Sequence, residues 1–179
     1  MKFDYGYITK YILEYDIGVP AAIIIGVSLS ICVIILLQFR VKSSYSNFAK
    51  KASLCLFIGY VFLVLCTTLF YREETYERHY MIRPLWSYMI LDNRLFAQII
   101  MNVLLFIPIG LFAGGTFKKE HIWHVIGIGF ILSFFIELTQ LISTRGVFSV
   151  DDIIHNVLGC TIGYGIYRLC NTILTVSTK

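Results

Sequence analysis

Residues 95–117 read LFAQIIMNVLLFIPIGLFAGGTF and contain no charged side chain. A helix of about 20 mostly apolar residues is long enough to cross the hydrocarbon core of a membrane. Comparable apolar runs lie at approximately 17–39, 52–71, 122–142 and 150–169. The sequence therefore predicts an all-α integral membrane protein, a bundle of about five transmembrane helices.

The composition favours one membrane domain. The chain has 179 residues, of which 58% are hydrophobic and 15% charged, whereas about a quarter of a typical soluble domain is charged. We expect a single transmembrane domain over 17–179, preceded by an interfacial segment over 1–16 that carries aromatic residues at helical spacing. Because the basic residues lie mostly in loops, the net charge of +4 indicates membrane topology and no nucleic-acid partner.

The loop charges predict an orientation. The loop after the first span carries Arg40, Lys42, Lys50 and Lys51 without an acidic residue, which is typical of a cytoplasmic loop. This places the N-terminus outside and the C-terminus in the cytoplasm of a cell-membrane protein. The loop over 72–94 mixes arginines with acidic residues. With five spans it shares a membrane face with the short loop near 143–149 in either orientation, and Trp86 and Tyr88 are expected to anchor it at the interface.

Metal and cofactor sites are not indicated. The five cysteines lie in apolar runs without CxxC spacing. His121 and His124 form an HxxH pair with no carboxylate at a useful spacing, and a metal site that joins His155 to Glu137 is the less favoured interpretation. No hydrolase or nucleotide-binding motif is present. We expect neither a metal nor a cofactor.

Glu137 is the clearest functional candidate, because an acidic side chain at mid-membrane costs roughly 3 kcal/mol. Ser133, Glu137, Gln140 and Thr144 are spaced three or four apart and form one polar stripe on a helix. Interhelical hydrogen bonding explains Ser133 and Thr144 well. A neutral residue would hold helices together at a lower cost than Glu137, so a functional site is favoured there.

The stripe is followed by a second polar stretch. Ser149 and Asp152 have the spacing of a capping box, with Asp in the position of Glu, and Asp151 also favours a helix N-terminus. This structural interpretation accounts for one of the two aspartates. It leaves unexplained Asn156, which lies one turn beyond Asp152 on the same helix face, and the nearby Arg145.

Two more segments bring polar residues to the same membrane face. Asn102 lies about two turns inside its span, where its amide needs partners such as backbone groups or Glu137, and Arg72 closes the preceding span. We therefore expect one ligand-binding site from four segments. Its candidate residues are Arg72, Asn102, Glu137, Gln140, Arg145, Asp151, Asp152 and Asn156.

Five stretches resemble the VanZ-like family over about residues 65–167. They are TLFYR (68–72), PL (84–85), NVLLFIPIG (102–110), IELTQ (136–140) and DDIIHNVLG (151–159). The resemblance implies a small bacterial membrane protein whose family includes a named member that gives Gram-positive bacteria low-level resistance to teicoplanin, a lipid-tailed glycopeptide antibiotic. The family's shared residues fall here at Arg72, Pro84, Asn102, Pro108, Gly110, Glu137, Gln140, Asp152, Asn156 and Gly159, whereas Arg145 is common but not universal.

Two functional hypotheses remain open. In the leading one, an outward cavity binds a membrane lipid or lipid-linked cell-wall component, Arg72 and Arg145 hold phosphate, and teicoplanin-type antibiotics and a homo-oligomer are further partners. The alternative is an intramembrane enzyme that hydrolyses or transfers a group on a polyprenyl lipid or phospholipid, with Glu137 or Asp152 as general base. A transporter or lipid flippase fits the pattern less well, because no inverted repeat is evident. The polar stripe argues modestly against a purely structural protein.

Overall fold

The computed structural model describes residues 46–70, 79–89, 93–116 and 121–176. These form four helices, α1 (Ser46–Phe70), α2 (Asn93–Thr116), α3 (Ile122–Ser143) and α4 (Val150–Val176), with two short strands, β1 (His79–Met81) and β2 (Val147–Ser149), and a 3-10 turn at Trp86–Tyr88. The predicted first span, 17–39, and the interfacial segment, 1–16, lie outside the described residues.

The described helices overlap the last four predicted spans, but α1 begins six residues before the predicted position 52 and α4 ends seven residues after the predicted position 169. Lys50 and Lys51, which the sequence analysis assigned to the first loop, therefore lie in α1. Two of them contain stretches that are long and apolar enough to cross a membrane, Leu95–Gly114 in α2 and Ile122–Ser143 in α3. In α1 only the shorter stretch Phe57–Thr68 is comparably apolar. The first turn of α4 carries acidic residues, so this helix is less apolar than the other two.

Helices α2 and α4 lie parallel and in direct backbone contact. A Cβ added at Gly159 would come within 2.1 Å of the Val103 carbonyl oxygen, and one at Gly163 within 2.0 Å of the Ile107 oxygen. From the other side, a Cβ at Gly110 would meet the Cys160 oxygen at 1.8 Å. Glycines thus allow the close approach, as small residues do between membrane helices. The sequence has two GxxxG spacings, Gly110 to Gly114 and Gly159 to Gly163, and both serve packing within the bundle.

The two remaining helices run antiparallel to their neighbours. Ser133 of α3 contacts Asn156 of α4, while Gly129, one turn earlier in α3, faces Cys160, one turn later in α4. In α1, Phe57 stacks on Phe112 of α2 with ring centroids 3.8 Å apart.

Pro108 lies inside α2, and the helix is continuous through it. Proline has no N–H for the carbonyl of residue 104 and loosens the turn that precedes it. The next carbonyl, that of Leu105, accepts a 2.7 Å hydrogen bond from the buried Tyr60 hydroxyl of α1. A side chain from a neighbouring helix therefore supports α2 at the turn that the proline disturbs.

The helix directions bring four helix termini together. The last turn of α1, the first turns of α2 and α4 and the last turn of α3 form what we call the polar end of the bundle. There β1 pairs in parallel with β2, with Tyr80 opposite Phe148. The predicted placement of the 72–94 loop and the 143–149 loop on one face is therefore confirmed for their described parts.

Between the termini the helix surface is apolar. Phe130, Ile131 and Phe135 of α3 are exposed, as are Leu158 and Ile162 of α4. Single exposed apolar residues are normal on soluble proteins, but contiguous surfaces of this kind mark contact with a protein or a membrane. With the two apolar stretches, this surface indicates a membrane protein.

Candidate functional site

A layer of hydrogen bonds joins α2, α3 and α4 at the polar end. Glu137 of α3 is 1% exposed, and its Oε2 accepts a 2.9 Å hydrogen bond from the Ser149 backbone N–H. Asp152 of α4 is 5% exposed, and its Oδ2 accepts one of 2.9 Å from Gln98 Nε2 of α2. Two buried carboxylates therefore connect three helices, and each has a donor that stabilises its charge.

The N-terminus of α4 is a modified form of the predicted capping box. The Ser149 hydroxyl accepts a 3.4 Å hydrogen bond from the Asp152 backbone N–H, as the box requires. The reciprocal bond differs, because Glu137 rather than Asp152 accepts from the Ser149 N–H. The Glu137 carboxylate of α3 thus makes the hydrogen bond that Asp152 would make in a capping box, and the side chain of Asp152 contacts Gln98 instead.

One turn further into the bundle lies a second polar layer. Asn102 lies four residues after Gln98 in α2, and Asn156 lies four residues after Asp152 in α4. Because Gln98 contacts Asp152 and the two helices are parallel, Asn102 and Asn156 lie at the same level. Asn156 Nδ2 donates a 2.8 Å hydrogen bond to Ser133 Oγ of α3. Asn102 Nδ2 and Asn156 Oδ1 are buried and have no hydrogen-bond partner among the described residues.

Gln140 closes the polar stripe of α3. It is completely buried, and its Nε2 donates a 3.1 Å hydrogen bond to the backbone carbonyl of Thr68 in α1. Because a carbonyl only accepts, this bond fixes the orientation of the amide. Its Oε1 is then a buried acceptor with no partner in the part of the chain that the structure describes.

The residue that follows α3, Thr144, has a strained backbone conformation. Thr144 adopts a left-handed conformation with φ 55°, and the Arg145 backbone N–H donates a 3.0 Å hydrogen bond to the Gln140 carbonyl. This C-terminal turn normally uses glycine, since a β-branched residue at positive φ is unfavourable. Strain of this kind is often found at functional sites. Arg145 itself is half-buried.

Asp151 connects the loop over 82–89 to α4. Its carboxylate is completely buried and accepts hydrogen bonds from the backbone N–H groups of Leu85 and Ser87 and from the Ser87 hydroxyl. Leu85 has φ 61°, in the left-handed region. Three donors from one turn thus converge on Asp151, which positions the loop.

Tyr88 and His155 make a second contact between this loop and α4. The Tyr88 hydroxyl lies 2.8 Å from His155 Nε2, and His155 is 1% exposed. His155 Nδ1 is buried without a hydrogen-bond partner among the described residues. Since His155 follows Asp151 by four residues, one face of α4 fastens the loop.

Most of the predicted site residues meet at the polar end. Asn102, Glu137, Gln140, Asp151, Asp152 and Asn156 are buried there. Arg72 lies outside the described residues. The predicted hydrogen-bonding role of Ser133 is confirmed, whereas the Thr144 hydroxyl donates to the carbonyl of its neighbour Ser143.

Sequence reasoning missed several members of the site. Gln98 lies one turn before Asn102, and this spacing could have identified it. Ser87 gave no signal, and Tyr88 and His155 were considered only as an interfacial anchor and a metal ligand. Their contacts could not be predicted because they join a loop to a helix more than sixty residues later.

The chemistry of the site is suited to forming hydrogen bonds with a ligand. Within the described ranges, no three His, Cys, Asp or Glu side chains are grouped so as to hold a metal ion. Among the described residues, the buried polar atoms without partners are the Trp86 indole nitrogen and amide and imidazole atoms, all of which can hydrogen-bond to neutral or charged polar groups.

Comparison with known proteins places this geometry in a family. The model of the VanZ/LLP1 family matches residues 57–171, which is more than half of the chain. The chain belongs to the VanZ/LLP1 family. All the buried polar residues described above lie inside the VanZ/LLP1 match. The resemblance seen in the sequence motifs is thereby confirmed.

The VanZ/LLP1 chain also resembles a characterised relative. It is 33% identical to Protein VanZ of Enterococcus faecium over 76 residues, which are 42% of this chain and 47% of that protein. The match thus spans about half the length of that relative. No solved structure matches the chain.

Proposed function

We propose that this protein is a multi-pass cell-membrane protein that confers low-level resistance to teicoplanin by binding a lipid-linked or cell-wall component at the polar end. The observation that carries the proposal is the set of buried amide atoms without partners at that end. These atoms are Asn102 Nδ2, Gln140 Oε1 and Asn156 Oδ1.

Such atoms are unfavourable unless something binds them. Leaving a buried donor or acceptor unsatisfied costs about 1–3 kcal/mol. A ligand with hydroxyl or amide groups, such as the sugar or peptide part of a cell-wall precursor, recovers this energy. Gln140 Oε1 would accept from a ligand donor, because its own Nε2 is bound to the Thr68 carbonyl.

The charged part of the ligand would be held nearer the loops. Arg145 follows the strained end of α3, and Arg72 precedes the 79–89 segment in the sequence. Guanidinium groups bind phosphate in a bidentate manner. In this proposal the two arginines hold the phosphate of a lipid-linked precursor. The polar end faces outward, because basic loops are typically cytoplasmic, and the basic first loop and Lys118 and Lys119 after α2 belong to the opposite membrane face.

Membrane embedding follows from the exposed apolar surface. Aliphatic and aromatic side chains of α3 and α4 cover the sides of the bundle, and the polar groups face its interior. A lipid-linked ligand would then reach the polar end from the bilayer. Binding there would keep a lipid-tailed antibiotic from accumulating near its target.

The test is the inhibitory concentration of teicoplanin and vancomycin for a susceptible Gram-positive host that expresses the full chain. Glu137→Ala and Gln140→Leu remove members of the site. Thr139→Ala is the matched control, because Thr139 is exposed on the same helix and its hydroxyl donates to the Phe135 carbonyl one turn earlier. Membrane levels of all variants are equalised by immunoblot.

We expect the wild type and Thr139→Ala to raise the inhibitory concentration of teicoplanin but not that of vancomycin. The two site variants should abolish this increase. Resistance that survives both site substitutions at matched levels contradicts binding at the polar end. No increase from the wild type at all contradicts the resistance function. A lipid profile that changes with the wild type but not with Glu137→Gln would support an enzyme instead.

A further inference from the structure

The loop over 80–89 exposes an unusual number of large apolar side chains. Each of six such residues is between 43% and 64% exposed: Tyr80, Met81, Ile82, Leu85, Tyr88 and Met89. Arg83 and Pro84 between them are exposed as well. Trp86, which the sequence suggested as an anchor, is half-buried. A patch of this density requires a partner.

Several backbone N–H groups of this loop have hydrogen-bond partners within the protein. Asp151 accepts from the N–H groups of Leu85 and Ser87, the Met89 N–H donates to the Trp86 carbonyl at 2.9 Å, and Pro84 has no N–H. Tyr80 and Met81, the first residues of this loop, belong to strand β1, which pairs with β2. A free N–H in hydrocarbon costs several kcal/mol, and these internal bonds avoid that cost for the N–H groups that make them.

The position of the loop fixes its depth. It is fastened to the first turns of α4 at the polar end, where the apolar stretch of α2 begins at Leu95 and that of α3 ends at Ser143. Ile142 in the last turn of α3 is 64% exposed. The apolar sides of the bundle thus extend up to the level of the loop, which is the level of the membrane interface if these stretches span the bilayer.

The side-chain types fit the same environment. Tyr80 has an apolar ring and a polar hydroxyl, the combination that is enriched at the boundary between headgroups and acyl chains. Tyr88 is also half-exposed, although its hydroxyl contacts the buried His155. Arg83 adds a positive charge in the middle of the apolar set, and no acidic residue lies between Tyr80 and Met89. An anionic lipid surface complements this arrangement.

We propose that residues 80–89 form a membrane-inserted wedge, with the apolar side chains in the headgroup–acyl boundary and Arg83 on an anionic lipid headgroup. Asp151 and His155 hold the wedge rigidly against α4. This inference depends on membrane embedding but not on the identity of the ligand or on antibiotic resistance.

The test uses tryptophan as a depth reporter in the full chain, reconstituted in vesicles of phosphatidylcholine and phosphatidylglycerol. The chain has two tryptophans, and Trp86→Phe with Trp123→Phe gives a background without them. Ile82→Trp then reports on the wedge. Ile131→Trp is the matched control, since Ile131 is 55% exposed and lies in the middle of α3. Quenchers are lipids brominated at shallow or deep acyl positions, and aqueous iodide.

We expect shallow bromines to quench the Ile82→Trp reporter more than deep ones, the reverse order for Ile131→Trp, and weak quenching of both by iodide. Quenching of the Ile82→Trp reporter by iodide to the level of free N-acetyltryptophanamide, without an effect of brominated lipids, overturns the proposal because the loop then faces water. Insensitivity to both quenchers overturns it as well, since a second copy or another protein then covers the loop.

The charge is tested separately. In the Ile82→Trp chain, Arg83→Gln is expected to abolish any increase in shallow-bromine quenching that phosphatidylglycerol produces over pure phosphatidylcholine. An unchanged increase overturns the headgroup contact of Arg83. Because both experiments measure depth in vesicles, their outcome is independent of the teicoplanin assay.

Discussion

Gly159 is the position at which a single methyl group should most clearly separate α2 from α4. A Cβ there would lie 2.1 Å from the Val103 carbonyl oxygen and 2.9 Å from its carbon. Ordinary contact for a Cβ begins near 3.4 Å, so the helices must move apart by the difference between 3.4 and 2.1 Å, about 1.3 Å, at this level. Both obstructing atoms belong to backbone, and no side-chain rotation can relieve the clash.

The energetic consequence follows from two opposing terms. Alanine favours a helix over glycine by about 1 kcal/mol, whereas overpacking a well-packed interface costs typically about 1–3 kcal/mol. Gly165→Ala on the same helix isolates the first term, because a Cβ at Gly165 meets nothing within 4 Å. The difference between the two variants therefore measures the overpacking term alone.

The assay is reversible unfolding of the full chain in mixed micelles titrated with dodecyl sulfate, followed by far-ultraviolet circular dichroism. We expect Gly159→Ala to have a free energy of unfolding lower than that of Gly165→Ala by about 1–3 kcal/mol. Equal stability of the two variants would refute the close parallel packing of α2 and α4. A Gly165→Ala chain that loses as much stability would refute the exposed position of Gly165.

Two further predictions concern single hydrogen-bond acceptors and donors. Asp151→Ala leaves the N–H groups of Leu85 and Ser87 without their acceptor, at a cost of about 1–3 kcal/mol each; hydrogen exchange should accelerate at these two amides, and unchanged rates would contradict the role of Asp151 in positioning the loop. Tyr60→Phe removes the 2.7 Å hydrogen bond to the Leu105 carbonyl and should lower the free energy of unfolding by about 1 kcal/mol in the same micelle titration. An unchanged free energy of unfolding would contradict the stabilising role of this hydrogen bond.

The helices could be predicted from the sequence because apolar length determines them. The predicted spans at 95–117 and 122–142 match α2 and α3 to within about two residues, since charged or strongly polar residues flank each run. Convergence of the motifs at one end also followed from simple alternation of helix direction. The direction of each successive helix is forced once the spans are known, so the polar ends meet.

The partners of the buried carboxylates could not be predicted. Local spacing assigned Asp152 to the capping box, but Glu137 from another helix accepts from the Ser149 N–H in its place. Likewise, nothing near Asp151 in the sequence indicates that it binds a turn 66 residues earlier at Leu85. Hydrogen bonds over such separations depend on how helices pack, and periodicity carries no information about them.

The buried carboxylates and the buried amides of the site differ in whether the protein satisfies their hydrogen bonds, and this difference bears on function. Glu137, Asp151 and Asp152 each accept from a donor of the protein itself, two of them from backbone N–H groups. A general base must have its oxygen directed at a substrate proton, and a carboxylate engaged in holding a helix terminus is poorly placed for that. Among the described residues, the buried polar atoms without a hydrogen-bond partner belong instead to the amides of Asn102, Gln140 and Asn156, and to Trp86 Nε1 and His155 Nδ1. Three of the five are neutral amide atoms, which supports the proposal that the site recognises a ligand by the placement of its donors and acceptors rather than by its charge alone.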